Sequence, residues 1–204
     1  MRAGLTHRRP FFQHPSALVE TALVGAGTRI WAFAHVMKGA RIGRDCVIGD
    51  HCFVESGVRI GHDVTIKNGV SIWEGVEVGD GAFLGPNATF TNDLRPRSRR
   101  YPLVAARYRS RRWLLKTRIG TGATIGANAT VLCGIKIGRF AMVAAGSVVT
   151  TNVPDHALWA GVPGRAAGDV CRCAGALAFV DGRAKCQACG LAYQKSGNRV
   201  RSLR

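Results

Sequence analysis

The chain of 204 residues carries 29 Lys and Arg against 12 Asp and Glu, a net charge of +17. No apolar run approaches the roughly 20 residues of a membrane-spanning helix, and the start of the chain lacks the apolar core of a signal peptide. We therefore expect no membrane span and a cytoplasmic location, where the seven cysteines are thiols or metal ligands rather than disulfides. The positive charge indicates polyanionic partners.

The dominant pattern along the chain is a period of six. An aliphatic residue or Phe recurs at every sixth position from Val24 to Phe90 and again from Ile119 to Val149. Helices repeat near 3.6 residues and strands near 2, so the period is the length of a larger unit. We interpret each unit as a short strand and a turn, with one aliphatic side chain pointing inward. Three units close a triangular coil, and stacked coils bury a core that one unit could not bury.

A basic insertion separates the two blocks of repeats and is predicted at about residues 91–118. Its basic residues are Arg95, Arg97, Arg99, Arg100, Arg107, Arg109, Arg111, Arg112, Lys116 and Arg118, and they face only Asp93. Nucleic acid and diphosphate-bearing small molecules are the candidate ligands, and a solvated loop without a ligand is the alternative. Nucleic acid is disfavoured, because the tail has few aromatic residues for stacking and because basic loops without interleaved aromatic residues are usually generic.

The composition changes after residue 165, which divides the chain into a repeat domain, 1–165, and a cysteine-rich tail, 166–204. Cys171 and Cys173 form a C-x-C pair, and Cys186 and Cys189 form a C-x2-C pair. Four thiolates suit tetrahedral zinc, and four unrelated thiols are the alternative. A closed four-cysteine site has no open position for catalysis, so the predicted zinc is structural.

Seven segments carry a finer resemblance that covers nearly the whole chain. They are HPSALVE, TRIWAFAHV, IKNGVSIWEGV, FLGPNATFTND with PRS shortly after, ATIGANATVLCGIKIG, AMVAAGSVVTTNVP and HALWAGVPGR. Together they resemble the hexapeptide-repeat acyltransferases, and among these the bacterial N-acetyltransferases of nucleotide-linked 3-amino sugars. The nearest in kind act on UDP-2-acetamido-3-amino-2,3-dideoxy-glucuronate for surface polysaccharide synthesis. One departure is Ala32, where that family often has His.

This resemblance implies the fold class, the cosubstrate and the assembly. The expected fold is all-β, a left-handed parallel β-helix with a long inserted loop and a small zinc-ribbon-like tail. The expected cosubstrate is acetyl-CoA, held between neighbouring subunits of a homotrimer. The residues that match the family's binding positions are Ala145, Gly146 and Ser147 for the pantetheine, Arg165 for the coenzyme phosphates, and Arg29, His35 and Asn68 for the sugar nucleotide.

The period also predicts one pair of neighbours at the start of the insertion. Residues eighteen apart lie one coil above another, roughly 4.8 Å apart, which places Glu74 beside Asn92, with Cys133 at the same place in a later coil. In the reaction of the resembled family, Asn92 would orient the amine and Glu74 would accept its proton. A solvated polar corner is the alternative interpretation of this pair, and packing is the simpler interpretation of Cys133.

Two other functions remain open at the level of sequence. An O-acetyltransferase acting on a sugar hydroxyl normally requires a His base, and no His is clearly placed for that role. A nucleic-acid-binding scaffold built from the basic loop and the tail belongs to a different class.

Overall fold

The computed structural model describes residues 11–203. Residues 1–10 and residue 204 lie outside the described residues. The start of the chain, for which the sequence predicts no signal peptide, therefore falls partly outside them. Within the described range, no helix combines the length and the apolar character that are needed to cross a membrane.

Short strands, most of them two residues long, make up the repeat region. Before the insertion the strands are β1 (Phe12–Gln13), β2 (Leu18–Val19), β3 (Arg29–Ile30), β4 (His35–Val36), β5 (Arg41–Ile42), β6 (Val47–Ile48), β7 (Phe53–Val54), β8 (Arg59–Ile60), β9 (Thr65–Ile66), β10 (Ser71–Ile72), β11 (Val76–Val78), β12 (Phe83–Leu84) and β13 (Thr89–Phe90). After the insertion they are β14 (Thr117–Ile119), β15 (Thr124–Ile125), β16 (Thr130–Val131), β17 (Lys136–Ile137), β18 (Met142–Val143) and β19 (Val148–Val149).

These strands form three parallel sheets, which are the faces of a triangular prism. The A face contains β1, β3, β6, β9, β12, β15 and β18, and it continues into β20 (Ala157–Gly161). The B face contains β2, β4, β7, β10, β13, β16 and β19, and the C face contains β5, β8, β11, β14 and β17. The chain turns at the AB, BC and CA corners in that order. The predicted left-handed parallel β-helix is confirmed.

The core is a column of inward aliphatic side chains, one from each strand. Ile30, Ile48 and Ile66 of the A face are fully buried, and each lies directly over the previous one. Burial of each such side chain contributes about 1.5–3 kcal/mol. Cys46 and Cys52 fill small positions at the corners and are buried. Burial raises the pKa of the Cys52 thiol to about 11.

The insertion leaves the prism at the BC corner, after β13, and returns at β14. It contains two 3₁₀ helices, Pro102–Arg109 and Arg111–Trp113. Its two ends meet at a narrow neck, which is formed by Asn92 and Asp93 on one side and by Leu114 and Leu115 on the other. Asp93 and Leu114 form an antiparallel β-bridge, and the Leu115 N–H donates to the Asn92 carbonyl at 3.1 Å. Because the neck closes, β11 and β14 pair as consecutive coils with Val76 opposite Thr117.

The tail begins as an extension of the A face and ends as a separate small sheet. Strand β21 (Gly164–Val170) lies antiparallel to β20 and is followed by β22 (Ala176–Leu177). The last three strands, β23 (Arg183–Lys185), β24 (Ala192–Ser196) and β25 (Arg199–Leu203), form an antiparallel sheet with its own core around Tyr193. The division predicted at residue 165 falls inside β21.

Candidate active site

Glu74 and Asn92 lie side by side at the BC corner, where the insertion leaves the prism. The register of β10 and β13, with Ser71 opposite Thr89, brings them to consecutive coils. The Asn92 Nδ2 donates to the Glu74 carbonyl oxygen at 3.5 Å. On the other side, the Glu74 backbone N–H donates to Glu55 Oε2 at 2.7 Å. The adjacency predicted from the period is therefore present, and Glu55 fixes the turn that carries Glu74.

The Glu74 carboxylate forms an ion pair with Arg111 of the insertion. The Glu74 side chain is 30% exposed and that of Arg111 is 70% exposed. An ion pair this open to water contributes only about 0–1 kcal/mol, so a substrate group can replace Arg111 at low cost. The period could not predict this contact, because the insertion has no repeat.

Asp93 anchors the insertion, although sequence reasoning noted it only as the one acidic residue of that segment. Its side chain is almost buried, accepts from the Arg95 N–H at 2.9 Å and the Tyr108 hydroxyl at 2.7 Å, and pairs with Arg107. Burial opposes ionisation of this carboxyl group, but these donors outweigh it and lower its pKa. The feature of the sequence that could have indicated this role is that Asp93 is the one acidic residue in a strongly basic segment.

Two aromatic residues of the insertion, Tyr108 and Trp113, are in contact with its own arginines. The Arg99 guanidinium lies 5.4 Å from the Tyr108 ring centroid and 5.0 Å from that of Trp113. The two rings are themselves 5.7 Å apart in an edge arrangement. These contacts order the insertion and cover ring faces on which bases would otherwise stack.

Cys133 occupies the place in the later coil that the period predicts. Its backbone N–H donates to Thr91 Oγ1 at 2.9 Å, and the residue is buried. These contacts support the packing interpretation of this cysteine.

The residues predicted to bind the sugar nucleotide lie on other parts of the same chain. Arg29, on the A face, has its guanidinium 5.9 Å from the Phe12 ring centroid and 5.5 Å from that of Trp31. His35, on the B face, has Nε2 3.5 Å from Glu20 Oε2. Glu20 lies at the BC corner three coils below Glu74, so His35 reaches that corner only at a lower level, and Arg29 belongs to the outer surface of the A face.

Asn68 lies at the AB corner and supports the turn of the coil before it. Its Oδ1 accepts from the Asp50 backbone N–H at 3.2 Å, and its Nδ2 donates to Asp50 Oδ2 at 3.4 Å. This pairing explains the amide at position 68 by turn structure. A substrate contact through the same amide would compete with these hydrogen bonds.

The predicted coenzyme residues lie at the AB corner of the last full coil and on β21. Gly146 adopts φ +69 and faces open space, so a ligand can approach the backbone there. Ser147 is buried, and its hydroxyl accepts from the Gly161 N–H at 3.2 Å. Ala145 precedes them in the same turn. The exposed Arg165 donates to the Gly164 carbonyl at 2.9 Å.

The four cysteines of the tail converge as predicted. All four sulfur atoms lie within 4.8 Å of one another, with Cys171 Sγ 3.4 Å from Cys189 Sγ and Cys173 Sγ 3.5 Å from Cys186 Sγ. A tetrahedral zinc with Zn–S of about 2.3 Å requires S–S distances of about 3.8 Å. The donor set and its spacing therefore fit a structural zinc ion.

Neighbouring groups in the tail favour the ionised form of Cys171. Burial opposes the thiolate, but the Cys173 backbone N–H and the Tyr193 hydroxyl, whose oxygen lies 3.1 Å from the sulfur, outweigh it. Together they lower the pKa of this thiol to about 6. A thiolate is the form that binds zinc.

His156 joins the tail to the prism and was not found by sequence reasoning. Its ring is buried, with Nδ1 2.9 Å from the Val170 carbonyl oxygen. It stacks on Phe140 at 5.3 Å and meets the edge of Tyr193 at 5.3 Å. Burial lowers the pKa of this imidazole, and its ring packs between the two parts.

Comparison with known proteins identifies the family. The bacterial transferase hexapeptide profile (six repeats) matches residues 21–56 and 57–92, and the hexapeptide repeat of succinyl-transferase profile matches residues 39–74 and 116–151. The dTDP-3-amino-3,6-dideoxy-alpha-D-galactopyranose 3-N-acetyltransferase of Aneurinibacillus thermoaerophilus is 48% identical over 192 residues, 94% of this chain and 95% of its own. The chain belongs to the hexapeptide-repeat N-acetyltransferases of nucleotide-linked amino sugars.

Other members of the wider hexapeptide family are more distant. The bifunctional protein GlmU of Sorangium cellulosum is 31% identical over 144 residues, 71% of this chain but 27% of its own length. Among solved structures, a perosamine N-acetyltransferase from Caulobacter crescentus with CoA and GDP-perosamine is 25% identical, with a TM-score of 0.39, over 79% of this chain and 58% of its own. An N-acyltransferase from Bacillus cereus with dTDP and coenzyme A is 16% identical, with a TM-score of 0.48, over 76% and 78%.

Proposed function

We propose that this protein transfers the acetyl group of acetyl-CoA to the amine of a nucleotide-linked 3-amino sugar in surface polysaccharide synthesis. The observation that carries the proposal is the adjacency of Glu74 and Asn92 at the mouth of the insertion. The relative from Aneurinibacillus thermoaerophilus is named for acetylation at a 3-amino group, which supports the position of the amine. The relative's dTDP-linked sugar and the UDP-linked uronate expected from the sequence share this 3-amino group.

The two side chains have complementary tasks in this reaction. Because Asn92 Nδ2 is directed at the Glu74 carbonyl, its Oδ1 is the atom that accepts a hydrogen bond from the substrate amine. The neutral amine attacks the thioester carbon, a C–N bond forms, and the C–S bond breaks as the coenzyme leaves. Glu74 accepts the proton released by the nitrogen, directly or through a water molecule. No covalent enzyme intermediate is required.

The binding residues take part only if a second chain completes the site. Ala145, Gly146 and Ser147 approach acetyl-CoA chiefly through their backbone, and Arg165 meets its phosphates. Arg29, His35 and Asn68 contact the sugar nucleotide. Since these residues lie away from Glu74 in their own chain, a homotrimer in which A and B faces meet brings them towards the Glu74 of a neighbour.

The distribution of exposed apolar residues supports this assembly. Phe12 and Phe83 project from the A face, Leu18 projects from the B face, and Phe33 lies exposed at the corner that these faces share. The C face presents charged residues at the corresponding positions. Packing of A against B faces around a three-fold axis buries the apolar set and leaves the C face in water.

Zinc in the tail has a structural role in this proposal. Cys171, Cys173, Cys186 and Cys189 hold the ion, and no position remains open for a substrate. The acetyl donor, a cytoplasmic metabolite, and the unpaired thiols are consistent with the cytoplasmic location expected from the sequence.

The direct test of function is a mass-spectrometric survey of nucleotide amino sugars incubated with acetyl-CoA and the protein. Acetylation of an amine on a 3-amino sugar supports the proposal. Acetylation only of a hydroxyl group would replace it with the O-acetyltransferase function. Duplex binding that persists in moderate salt, without acetyl transfer, would favour the nucleic-acid scaffold.

Asn92→Ala tests the orienting group. We expect kcat to fall by roughly 10²- to 10⁴-fold, because the amine loses its hydrogen-bond acceptor. The free energy of unfolding should change by less than about 1 kcal/mol, as measured by denaturant titration. Lys38→Ala, at the same corner two coils below Glu74, is the control and should leave kcat unchanged. Equal effects in the two variants would place the active site elsewhere.

Glu74→Gln tests the base. It keeps the shape of the side chain but removes the proton acceptor, so kcat should fall most at low pH, where more of the amine is protonated. The deficit should shrink as pH rises. Arg111→Ala is the control, because it removes the same ion pair and keeps the carboxylate, and its kcat should follow the native pH profile. A loss in Glu74→Gln that is equal at every pH would make Glu74 a positioning residue.

The homotrimer is tested by a change on the A face. Phe83→Glu places a charge in the proposed interface and should convert trimers to inactive monomers in analytical ultracentrifugation. Leu23→Glu is the matched control and should remain trimeric and active. Leu23 is an exposed apolar residue whose carbonyl accepts from the N–H of Ile42 on the C face. Monomers that still turn over in dilute solution would contradict the shared active site.

The metal site is tested by elemental analysis. The purified protein should hold about one zinc per chain, and Cys186→Ser with Cys189→Ser should release it and lower the melting temperature. Cys46→Ser, a buried cysteine of the prism, should keep the zinc. A double variant without zinc that retains full thermal stability would contradict a structural role.

A further inference from the structure

The outer surface of the C face carries a column of charged side chains. The strand registers place Arg41, Arg59, Glu77, Arg118 and Lys136 on consecutive coils. Neighbouring positions in this column are separated by roughly 4.8 Å. Four of the five are cations, and the one carboxylate, Glu77, lies 3.2 Å from Arg118 Nε.

Two adjoining cavities lie at the centre of this column, and together they are called the trough. One, of about 520 Å³, runs over the C face towards Lys136 and Arg139. The other, of about 390 Å³, lies beneath the insertion between Glu74 and Lys116. Both are lined by Arg59 and Glu77. The trough therefore begins at the proposed base, Glu74, and extends across the C face.

The trough has a surplus of positive charge. Its lining contains six cations, Arg59, Arg111, Lys116, Arg118, Lys136 and Arg139, and two carboxylates, Glu74 and Glu77. Three of the cations are paired, Arg111 with Glu74, Arg118 with Glu77, and Arg139 with Asp155. Arg59, Lys116 and Lys136 form no ion pair with any of the residues that the structure describes.

We propose that this trough binds the diphosphate of a substrate, with Arg59 at its centre and the reactive end of the ligand at Glu74. The proposal rests on the function proposed above, which identifies Glu74 as the reacting end. Guanidinium groups recognise phosphate oxygens through paired hydrogen bonds, and Lys116 and Lys136 add charge on either side. Each cavity has the volume of a small-molecule site, and the insertion covers the end nearest Glu74.

Both substrates of the proposed reaction carry a diphosphate, so kinetics must distinguish them. Arg59→Ala should raise the KM of one substrate, the nucleotide sugar or acetyl-CoA, by about tenfold or more and leave kcat within about twofold. The substrate whose KM rises is the one that occupies the trough. Arg59→Lys keeps the positive charge but loses the paired N–H donors of the guanidinium group, so it should give an intermediate KM.

Arg41→Ala is the matched control. Arg41 lies directly beside Arg59 in the same column, is also exposed, and lines neither cavity. Its loss should leave both KM values within about twofold. Equal increases in KM for Arg41→Ala and Arg59→Ala would mean that only the general surface charge matters, and would overturn the proposal. Unchanged KM values for Arg59→Ala would also overturn it. Thermal melting of all three variants verifies that the fold is intact.

Calorimetric titration with UDP, dTDP and coenzyme A separates this proposal from the proposed function. Loss of affinity for one of these ligands in Arg59→Ala, but not in Arg41→Ala, supports the trough even if no nucleotide amino sugar is acetylated. Conversely, normal acetyl transfer with unchanged affinity and KM in Arg59→Ala would leave the function standing and exclude the trough as the diphosphate site.

Discussion

The structure depends on one constraint, the vertical stacking of coils at the spacing of hydrogen-bonded strands. At Gly49 an added Cβ would lie 2.5 Å from the Asn68 side-chain oxygen of the next coil. With so little room, every coil must repeat the path of the one below it, and each inward side chain must cover its predecessor. Outward side chains therefore form columns, and any chemistry on this surface is built from residues a fixed number of positions apart.

The candidate site combines stacked residues of one such column with a residue of the insertion. Stacking alone brings Asn92 to Glu74, and the Glu55 carboxylate holds the turn that carries Glu74 in place. The insertion then adds Arg111, a residue that the column could not supply. Because the neck at Asp93 and Leu115 closes the excursion, the prism continues in register above it. The regular prism thus carries an irregular, positively charged insertion at its BC corner.

The sequence predicted those parts of the site that obey the period. The pairing of Glu74 with Asn92 and the position of Cys133 both follow from the six-residue period. The cysteine spacing predicted the cluster in the tail for a different reason, because metal ligands must converge. The contacts of Asp93, Tyr108 and Arg111 were not predictable, since they arise between residues of an aperiodic segment. His156 was missed because its partners, Val170 and Tyr193, lie beyond the last repeat.

The hairpin of β20 and β21 has a consequence for the behaviour of the chain in solution. A stack of parallel strands ends in a row of unpaired peptide groups, onto which another stack could add. On the A face β21 reverses direction, satisfies those groups and is followed by a sheet of different orientation. Through Val170, His156 and Tyr193, the cysteine cluster holds this reversal in place. The tail therefore covers the end of the A face, where another stack of strands could otherwise add.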